Sequence, residues 1–355
     1  MKKYSLGVIS GDGIGPEIME QALKVLNVVE KIHGGIHFKE NRYDWGCEYY
    51  LKNHKMMPDD GLDRLRENDA ILFGAVGAPS VPDDISVWEL ILPIRQQFEQ
   101  YVNLRPIKQL QGIESPLKKL NGNIDFTIIR ENTEGEYSKI GGKLHANTPN
   151  EVVIQNNVFT RFGTERIFDY GFNYAQQKQK KSVTVATKSN AIKHSMTFWD
   201  EIGKKFESKH NLQVDYYHID ALAAYFITRP EDFEVIISSN LFGDILSDLG
   251  AAVVGGLGLA PSGNINPSGK YPSMFEPIHG SAPDIAGKGI ANPIAQIWSV
   301  ALMLEHLELG NLSELVINAI ESTLSNKTIR TPDLGGVNTT EDIGNLIVNN
   351  LEKYV

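Results

Sequence analysis

The fold is decided by the stretch Glu234-Val-Ile-Ile-Ser-Ser-Asn-Leu-Phe-Gly-Asp-Ile-Leu-Ser-Asp248, in which a strand passes directly into a helix. Residues 234–238 predict the strand, and the residues that follow predict the helix. Asp244 and Asp248 are four residues apart on that helix. Both carboxylates therefore lie on one helix face, about 5–6 Å apart at Cβ.

This pair of carboxylates allows two interpretations. Neighbouring anions repel each other unless a cation joins them, and hard oxygen ligands suit Mg²⁺ or Mn²⁺. Such a pair would leave most of the coordination to water and substrate, as catalysis requires. An isolated D-x-x-x-D pair is more often a solvated helix face. The apolar neighbours Ile245, Leu246 and Leu249 count against that alternative, because they leave the helix little exposed surface.

Strands alternate with helices over the rest of the chain. The predicted strands are residues 6–10, 70–76, 125–130, 183–187 and 214–218, and the predicted helices include residues 16–32 and 87–101. This alternation indicates an α/β fold with a largely parallel sheet. The glycine-rich stretch 255–269 is predicted to be a domain crossing or a ligand loop.

Composition narrows the class of protein. The chain has 355 residues, of which 41% are hydrophobic and 22% charged, as in a globular protein of one large unit or two domains. Its net charge of −10 argues against nucleic acid or anionic membranes as partners. The single cysteine, Cys47, allows no intrachain disulfide, and no stretch predicts a signal peptide or membrane helix. We therefore expect a cytoplasmic protein.

A glycine turn, Gly11-Asp-Gly-Ile-Gly15, follows the first predicted strand and precedes a helix. The dinucleotide-binding Rossmann motif needs its third glycine where this chain has Pro16. No acidic residue ends a clear second strand at the usual distance. The turn therefore does not predict a Rossmann site.

Five residues stand out as candidates for chemistry. Arginine offers a rigid fork of donors that fits carboxylates, and Arg95, Arg105 and Arg130 have apolar settings or strand-end positions that favour an anionic substrate. Each one alone is more often a surface or ion-pair residue. Lys188 directly follows a predicted strand, where desolvation lowers the pKa of an amine and suits it to proton transfer. Tyr137 lies in a polar loop, and both could be bystanders.

Five motifs occur in order from one end of the chain to the other. They are Gly11-Asp-Gly-Ile-Gly-Pro-Glu17, Asn103-Leu-Arg-Pro106, Arg130-Glu-Asn-Thr-Glu134, Ser239-Asn-Leu-Phe-Gly-Asp-Ile-Leu-Ser-Asp248 and Glu276-Pro-Ile-His-Gly-Ser-Ala-Pro-Asp-Ile-Ala-Gly287. The chain resembles the β-decarboxylating dehydrogenases, which include isocitrate, isopropylmalate, homoisocitrate, tartrate and D-malate dehydrogenases. The resemblance covers nearly the whole chain. It implies an isopropylmalate dehydrogenase-like two-domain α/β fold with a large mixed sheet flanked by helices, and not a Rossmann fold.

The resemblance also implies a domain division. Residues 1–102 and 256–355 would form a large domain that carries the adenosine site of the cofactor. Residues 103–255 would form a small domain with the metal and the dimer contacts, and the active site would lie in the cleft between the two domains.

Roles for individual residues follow from the same resemblance. Arg95, Arg105 and Arg130 match the residues that clamp substrate carboxylates. Tyr137 and Lys188 match a proton-transfer pair, in which Lys188 reaches in from the other subunit.

Three aspartates match the metal ligands of the family. Asp244 and Asp248 match the ligands from one chain, and Asp220 matches the ligand that the partner subunit supplies. The site is thus shared between two chains, so the resemblance implies a homodimer.

The adenosine loop of the family matches His279, Gly280, Ser281, Ala282, Pro283, Asp284 and Asn292. NADP-dependent isocitrate enzymes typically have Lys-Tyr where this chain has Asp284-Ile285. A carboxylate accepts a hydrogen bond from a ribose 2′-hydroxyl but repels a 2′-phosphate, which favours NAD. Mn²⁺ or Mg²⁺ is the expected divalent cation, and K⁺ is a further cation that the resemblance suggests.

The implied reaction begins with a 2-hydroxy acid that carries a carboxylate on C3. The metal and the arginines hold it, and Lys188 relays the hydroxyl proton as hydride passes from C2 to the nicotinamide. Loss of CO₂ follows, and Tyr137 then gives a proton to C3.

Substrate choice is expected in the helix that enters Arg95, Ser86-Val-Trp-Glu-Leu-Ile-Leu-Pro-Ile-Arg95. Isocitrate enzymes usually have a serine and an asparagine there, and isopropylmalate enzymes a glutamate followed by paired leucines. Trp88 would fill much of the space that a C3 substituent needs, which favours a small substrate; the alternative is ordinary helix packing. Segments 44–60, 82–86 and 100–106 resemble the tartrate and D-malate dehydrogenase branch.

These observations predict NAD- and metal-dependent oxidation of D-malate to pyruvate and CO₂, oxidation of tartrate, or both. The alternative within the family is 3-isopropylmalate dehydrogenase. The alternative from another class is a non-catalytic regulatory subunit, against which the intact Tyr137, Lys188 and three aspartates weigh.

Overall fold

Ten of the twelve strands formed by the described residues belong to one mixed sheet, and the other two form a separate ribbon. The computed structural model describes residues 1–118, 120 and 122–355. Its strands are β1 (Lys2–Gly11), β2 (Ile36–Arg42), β3 (Ala70–Ala75), β4 (Val102–Lys108), β5 (Asp125–Glu131), β6 (Gly141–Leu144), β7 (Val152–Gln155), β8 (Ser182–Thr187), β9 (Gln213–His218), β10 (Val235–Ser238), β11 (Pro261–Ile265) and β12 (Ser273–Pro277).

Helices flank this sheet, and several of them contact its strands directly. In the described part of the chain they are α1 (Gly15–His33), α2 (Cys47–Asn53), α3 (Gly61–Arg66), α4 (Asp83–Ser86), α5 (Leu92–Gln97), α6 (Arg161–Gln177), α7 (Ser195–Glu207), α8 (Ile219–Thr228), α9 (Asn240–Val253), α10 (Ile294–His306), α11 (Gly310–Ser325) and α12 (Thr340–Leu351). Helix α10 contacts β3, β11 and β12, and α9 contacts β4, β5 and β10. None of the helices within the described ranges has the length and apolar character that crossing a membrane requires.

The strand order of the sheet is β2-β1-β3-β12-β11-β4-β5-β10-β8-β9. The three pairs on each flank are parallel. The three central pairs, β12 with β11, β11 with β4 and β4 with β5, are antiparallel. The alternation of strands and helices predicted the parallel flanks, whereas the mixed sheet agrees with the fold that the family resemblance implied.

The glycine-rich stretch 255–269 is not a loop throughout. Gly255 and Gly256 have φ angles of 124° and 135°, which suit glycine, and they turn the chain out of α9. Pro261 then begins β11, a strand whose five residues are all buried in the centre of the sheet. Proline is tolerated at the first residue of a strand, so it does not interrupt the pairing.

The helix predicted over residues 87–101 begins earlier and ends earlier. It runs through α4, a π-helical turn at Val87–Ile91, and α5. The Leu92 N–H donates to the Val87 carbonyl in the wider π pattern. Pro93 explains the irregularity, because its ring lacks an N–H and would clash with a carbonyl of a regular helix. The helix ends at Gln97, and Glu99 has a φ of 47°.

Candidate active site

A cavity of about 500 Å³ brings together side chains from distant parts of the sequence, between residues 73 and 280. We call it the central cavity. Eight of the predicted site residues line it: Trp88, Arg95, Arg105, Arg130, Tyr137, Asp244, His279 and Gly280. The other predicted residues do not line it: Ser281, Ala282, Pro283, Asp284 and Asn292 of the cofactor loop, and Lys188, Asp220 and Asp248.

The antiparallel centre of the sheet aligns polar side chains on one face. Asn103 of β4 stands opposite Arg130 of β5 and opposite Asn264 of β11. Arg105 follows Asn103 by two residues and so points to the same side of the sheet. Asn103 Nδ2 donates to Asn264 Oδ1 at 2.8 Å, and Asn103 Oδ1 accepts from Arg105 Nε. The pairing of β4, β5 and β11 therefore places the side chains of Arg105 and Arg130 on one side of the sheet.

Asp244 joins these arginines to helix α9. Arg130 Nη1 binds Asp244 Oδ1, and Arg105 Nη1 lies 3.3 Å from the same oxygen. Arg130 also donates to Asn240 Oδ1, from Nε at 3.1 Å and from Nη2 at 2.7 Å. A Cβ at Gly243 would lie 2.6 Å from Arg130 Cβ, so only glycine lets α9 approach this closely.

Charge and burial set the protonation states of this group. Burial lowers the pKa of Arg105 to about 9 and also lowers the pKa of Arg130. Burial alone would raise the pKa of Asp244, but the charges of Arg130 and Arg105 outweigh it and bring that pKa to about 2. Asp244 is therefore ionised at neutral pH and balances the buried positive charge.

Tyr137 completes the contacts of Asp244. Its hydroxyl donates to Asp244 Oδ2 at 2.7 Å, and the Arg130 guanidinium lies 5.4 Å from its ring centroid. Burial and the neighbouring Asp244 raise the pKa of Tyr137 to about 12. The phenol therefore carries its proton at neutral pH and has one to donate.

Asp248, one turn further along α9, remains accessible to solvent. Loss of part of its hydration raises its pKa, and the charge of Asp244 adds to this. No described residue hydrogen-bonds or ion-pairs with its side chain. An ionised Asp244 beside Asp248, whose carboxylate makes no hydrogen bond or ion pair with a described residue, is a donor set that fits a hard divalent cation.

Lys188 and Asp220 lie elsewhere on the same chain. Lys188 Nζ is 2.6 Å from Asp220 Oδ1, and this contact lowers the pKa of Asp220. Across residues 1–118, 120 and 122–355, no three His, Cys, Asp or Glu side chains form a group that could hold a metal ion. One chain thus presents the aspartates of α9 and the Lys188–Asp220 pair as two separate groups.

Glu276 is a site residue that the sequence reasoning did not single out. It lines the central cavity and binds Arg95 Nη2 at 2.7 Å, and Asn264 donates to it at the same distance. Arg95 Nε is buried without a partner. The available signal was the position of Glu276 at the start of the last of the five motifs, but its partner Arg95 lies 181 residues away.

The predicted cofactor loop begins at the rim of the same cavity. His279 Nε2 is buried and has no partner among the described residues, and burial lowers the pKa of this side chain. An orphaned imidazole nitrogen, in a loop whose Pro283 and Asp284 are exposed, fits a polar ligand such as a dinucleotide. Asn292, further along, donates to Asp333 Oδ2 at 3.0 Å.

The glycine turn at residues 11–15 supports this loop. A Cβ at Gly13 would lie 2.0 Å from the Ser281 carbonyl oxygen, which accepts from the Ile14 N–H at 2.9 Å. A Cβ at Gly11 would lie 1.9 Å from the Ala75 carbonyl oxygen. The glycines thus allow close packing of backbone on backbone.

Trp88 faces the central cavity from the π-helical turn, together with Val87 and Ile91. Its outer ring face is covered by Lys139, whose ammonium lies 5.0 Å from the ring centroid. The side chain therefore stands between the cavity and a cation, with which it makes a cation–π contact.

Comparisons with known proteins agree with these features. The profile of the family described as isocitrate/isopropylmalate dehydrogenase matches residues 5–347. The chain is 49% identical to a probable tartrate dehydrogenase/decarboxylase of Bacillus subtilis (strain 168), over 99% of both chains. It is 47% identical to the decarboxylating D-malate dehydrogenase of Escherichia coli (strain K12), over 98% of both.

A solved structure supports the fold. The crystal structure of isocitrate dehydrogenase from Methylococcus capsulatus superposes with a TM-score of 0.88 at 32% identity, covering 99% of this chain and 100% of that one. The fold and the family predicted from the motifs are thereby confirmed. The chain belongs to the isocitrate/isopropylmalate dehydrogenase family, which is a family of oxidoreductases.

Proposed function

We propose that this enzyme oxidises and decarboxylates a small 2-hydroxy dicarboxylic acid, converting D-malate to pyruvate and CO₂, oxidising tartrate, or both. The observation that carries the proposal is the convergence of Arg95, Arg105 and Arg130 with Asp244 in one cavity. Three guanidinium groups match the two carboxylates of such a substrate. Relatives named tartrate dehydrogenase/decarboxylase and D-malate dehydrogenase support the substrate class.

The protein groups divide the work. The arginines bind the substrate carboxylates and orient C2 and C3, and Lys188 of the partner subunit accepts the hydroxyl proton. Tyr137 supplies the proton that C3 needs after CO₂ has left. NAD would be held by residues 279–284 and Asn292 and supplies the hydride acceptor.

A divalent cation, Mg²⁺ or Mn²⁺, would be held by Asp244 and Asp248 with Asp220 of the partner subunit. When bound, it stabilises negative charge on the substrate oxygens. K⁺ is included as a further cation to be tested. The residues of one chain account for only part of this ligand set, since Asp220 of the same chain is paired with Lys188.

We propose a homodimer for the same reason. Apolar side chains are exposed on the ribbon, including Leu144 and Val153, and on α8 and α9, including Ile227. Ile245 is 53% exposed although it follows Asp244 directly, so an unpaired apolar surface borders the site. A second chain would cover these surfaces and bring its Lys188–Asp220 pair to the cavity. We also propose the domain division at 1–102 with 256–355, and 103–255.

The test is NADH formation from D-malate, L-tartrate, meso-tartrate, isopropylmalate and isocitrate, each with Mg²⁺ or Mn²⁺ and with or without K⁺. We expect turnover of D-malate or a tartrate that is lost after chelation and restored by the metal. A strong preference for isopropylmalate would favour the alternative within the family, for which apolar Ile91 and Leu92 at the cavity would be the basis. No turnover of any substrate would favour a regulatory subunit.

Replacement of Trp88 by alanine should widen the central cavity towards C3. We expect the ratio of kcat/KM for isopropylmalate to kcat/KM for D-malate to rise about tenfold or more, as a pocket enlarged by several carbons allows. Steady-state kinetics with both substrates measures this ratio. Gln96→Ala is the matched control, since Gln96 is exposed on the following helix α5 and does not line the cavity. An unchanged ratio in Trp88→Ala would leave Trp88 as packing only.

The double change Asp284→Lys with Ile285→Tyr should move cofactor preference towards NADP. It replaces an exposed anion with a cation, and we expect the NADP to NAD ratio of kcat/KM to rise about tenfold or more. Asp284→Asn removes the charge alone and should give a smaller rise in the same direction. An unaltered ratio in both variants would contradict the placement of the ribose at residue 284.

A further inference from the structure

The loop that carries Tyr137 contains three glutamates, each of which binds a different part of the protein. We call residues 131–137 the anchoring loop. Glu131 accepts from the Thr133 and Glu134 backbone N–H groups at 3.0 and 2.9 Å, within the loop itself. Glu134 accepts from Thr160 N at 3.0 Å, at the start of α6. Glu136, directly before Tyr137, reaches α9.

The Glu136 carboxylate caps the N-terminus of α9, a role that the side chain of the N-cap residue usually has. Ser239 is the N-cap of this helix, but its side chain makes no capping bond to the helix. Instead Ser239 Oγ donates to Glu136 Oε1 at 2.8 Å, and the Leu241 N–H donates to Glu136 Oε2 at 3.0 Å. A carboxylate in this place satisfies a free N–H of the first turn and interacts favourably with the helix dipole.

Two further hydrogen bonds join the anchoring loop to α9. Asn240 Nδ2 donates to the Glu134 carbonyl oxygen at 2.9 Å, and one turn later Asp244 accepts from the Tyr137 hydroxyl at 2.7 Å. Beyond Tyr137 the chain turns to the exposed ribbon, where Ser138 Oγ donates to the Asn156 carbonyl oxygen at 2.6 Å. Glu136 is thus the last side chain before Tyr137 that ties the loop to α9.

We infer that Glu136 is a positioning residue that fixes the Tyr137 phenol relative to the α9 aspartates during proton transfer to C3. The inference rests on the proposed function, in which Tyr137 is the proton donor. In that step the Tyr137 O–H bond breaks and a C–H bond forms at C3 of the enolate left by CO₂ loss. In reverse, the phenolate removes a methyl proton from pyruvate.

Two partial reactions separate this step from the rest of the chemistry. The first is exchange of the pyruvate methyl protons with D₂O, which is monitored by NMR with Mg²⁺ and NADH present. This exchange needs proton transfer at C3 but no hydride transfer. Reduction of oxaloacetate by NADH needs hydride transfer but no proton at C3. The ratio of the two rates therefore isolates proton transfer at C3 from hydride transfer at C2.

Glu136→Ala removes both bonds to α9 and should lower the exchange rate about a hundredfold, the cost of misplacing a catalytic group by about 1 Å. Reduction of oxaloacetate and the Mg²⁺ dissociation constant should keep their order of magnitude. Glu136→Gln can still accept from Leu241 N and donate to Ser239 Oγ, so it should restore most of the exchange. Glu134→Ala is the matched control, because it removes bonds of the same loop to α6 and not to α9.

The outcomes distinguish this inference from the proposal beneath it. Normal exchange in Tyr137→Phe would remove Tyr137 as the proton donor and with it the proposed mechanism. Loss of exchange in Tyr137→Phe together with normal exchange in Glu136→Ala would overturn the role of Glu136 only. If Glu136→Ala lowered the exchange rate and the reduction rate equally, Glu136 would merely stabilise the fold. The same conclusion would follow if Glu134→Ala changed the ratio of exchange to reduction as much as Glu136→Ala does.

Discussion

Mixing two inactive variants, Lys188→Met and Asp244→Asn, should restore about a quarter of wild-type activity. In the proposed homodimer, random pairing makes half of the dimers mixed, and each mixed dimer would have one site with both lesions and one site with none. We expect this recovery because Lys188 and Asp244 of one chain do not share a site. Lys188 is paired with Asp220 at 2.6 Å and does not line the cavity that Asp244 lines. Unfolding and refolding the mixture, followed by NADH formation, measures the recovery.

Lys188→Met alone should lower turnover by about 10²–10⁴, the range for loss of a general acid or base, while NAD and metal binding remain. The matched control is a mixture of Lys188→Met with Asp220→Asn. In the proposed dimer one chain supplies both Lys188 and Asp220 to the site of the other, so every mixed dimer would have a lesion in each site and no activity should return. Two results would place Lys188 in the site of its own chain. One is recovered activity in this control mixture. The other is no recovered activity in the mixture of Lys188→Met with Asp244→Asn, although mixed dimers form.

Much of the fold could be read from the sequence because its strands are short, apolar and followed by recognisable turns. The strand predicted over residues 183–187 lies within Ser182–Thr187, and the helix over 16–32 within Gly15–His33. The antiparallel centre could not be read from local pattern. Which strands pair there depends on chain segments far apart, as in the pairing of Asn264 with Asn103.

The candidate site could likewise be predicted only in part. Residue type and motif were enough to select the arginines, Tyr137 and Asp244, because their chemistry is visible in the side chain. The supporting contacts were not visible. Arg95 meets Glu276, and Glu136 meets the start of α9, only through the packing of distant elements. For Lys188 and Asp220 the structure of one chain places the pair outside the cavity, so their roles remain predictions that the mixing experiment decides.

Asp244→Asn should affect stability as well as turnover, and Asp248→Asn provides the contrast. Asp244 balances Arg105 and Arg130, which are 4% and 1% exposed, and its loss leaves two buried guanidinium groups without their anion. We expect the metal-free protein to lose about 1–3 kcal/mol of unfolding free energy, less than for a fully buried pair because Asp244 keeps contact with solvent. Turnover should fall below detection, since the proposed cation site would lose a ligand.

Asp248 has no such partner in the described part of the chain, so Asp248→Asn should leave the metal-free stability unchanged. Mg²⁺ at a hundred times its dissociation constant should stabilise the wild type by about 2.7 kcal/mol, and this gain should disappear in both variants. Thermal or denaturant unfolding with and without Mg²⁺ measures both effects. If Mg²⁺ stabilised Asp248→Asn as much as the wild type, Asp248 would not be a ligand. If Asp244→Asn alone lost the gain, Asp244 would be the only ligand on α9, and the four-residue spacing of the two aspartates would have no role in binding the metal.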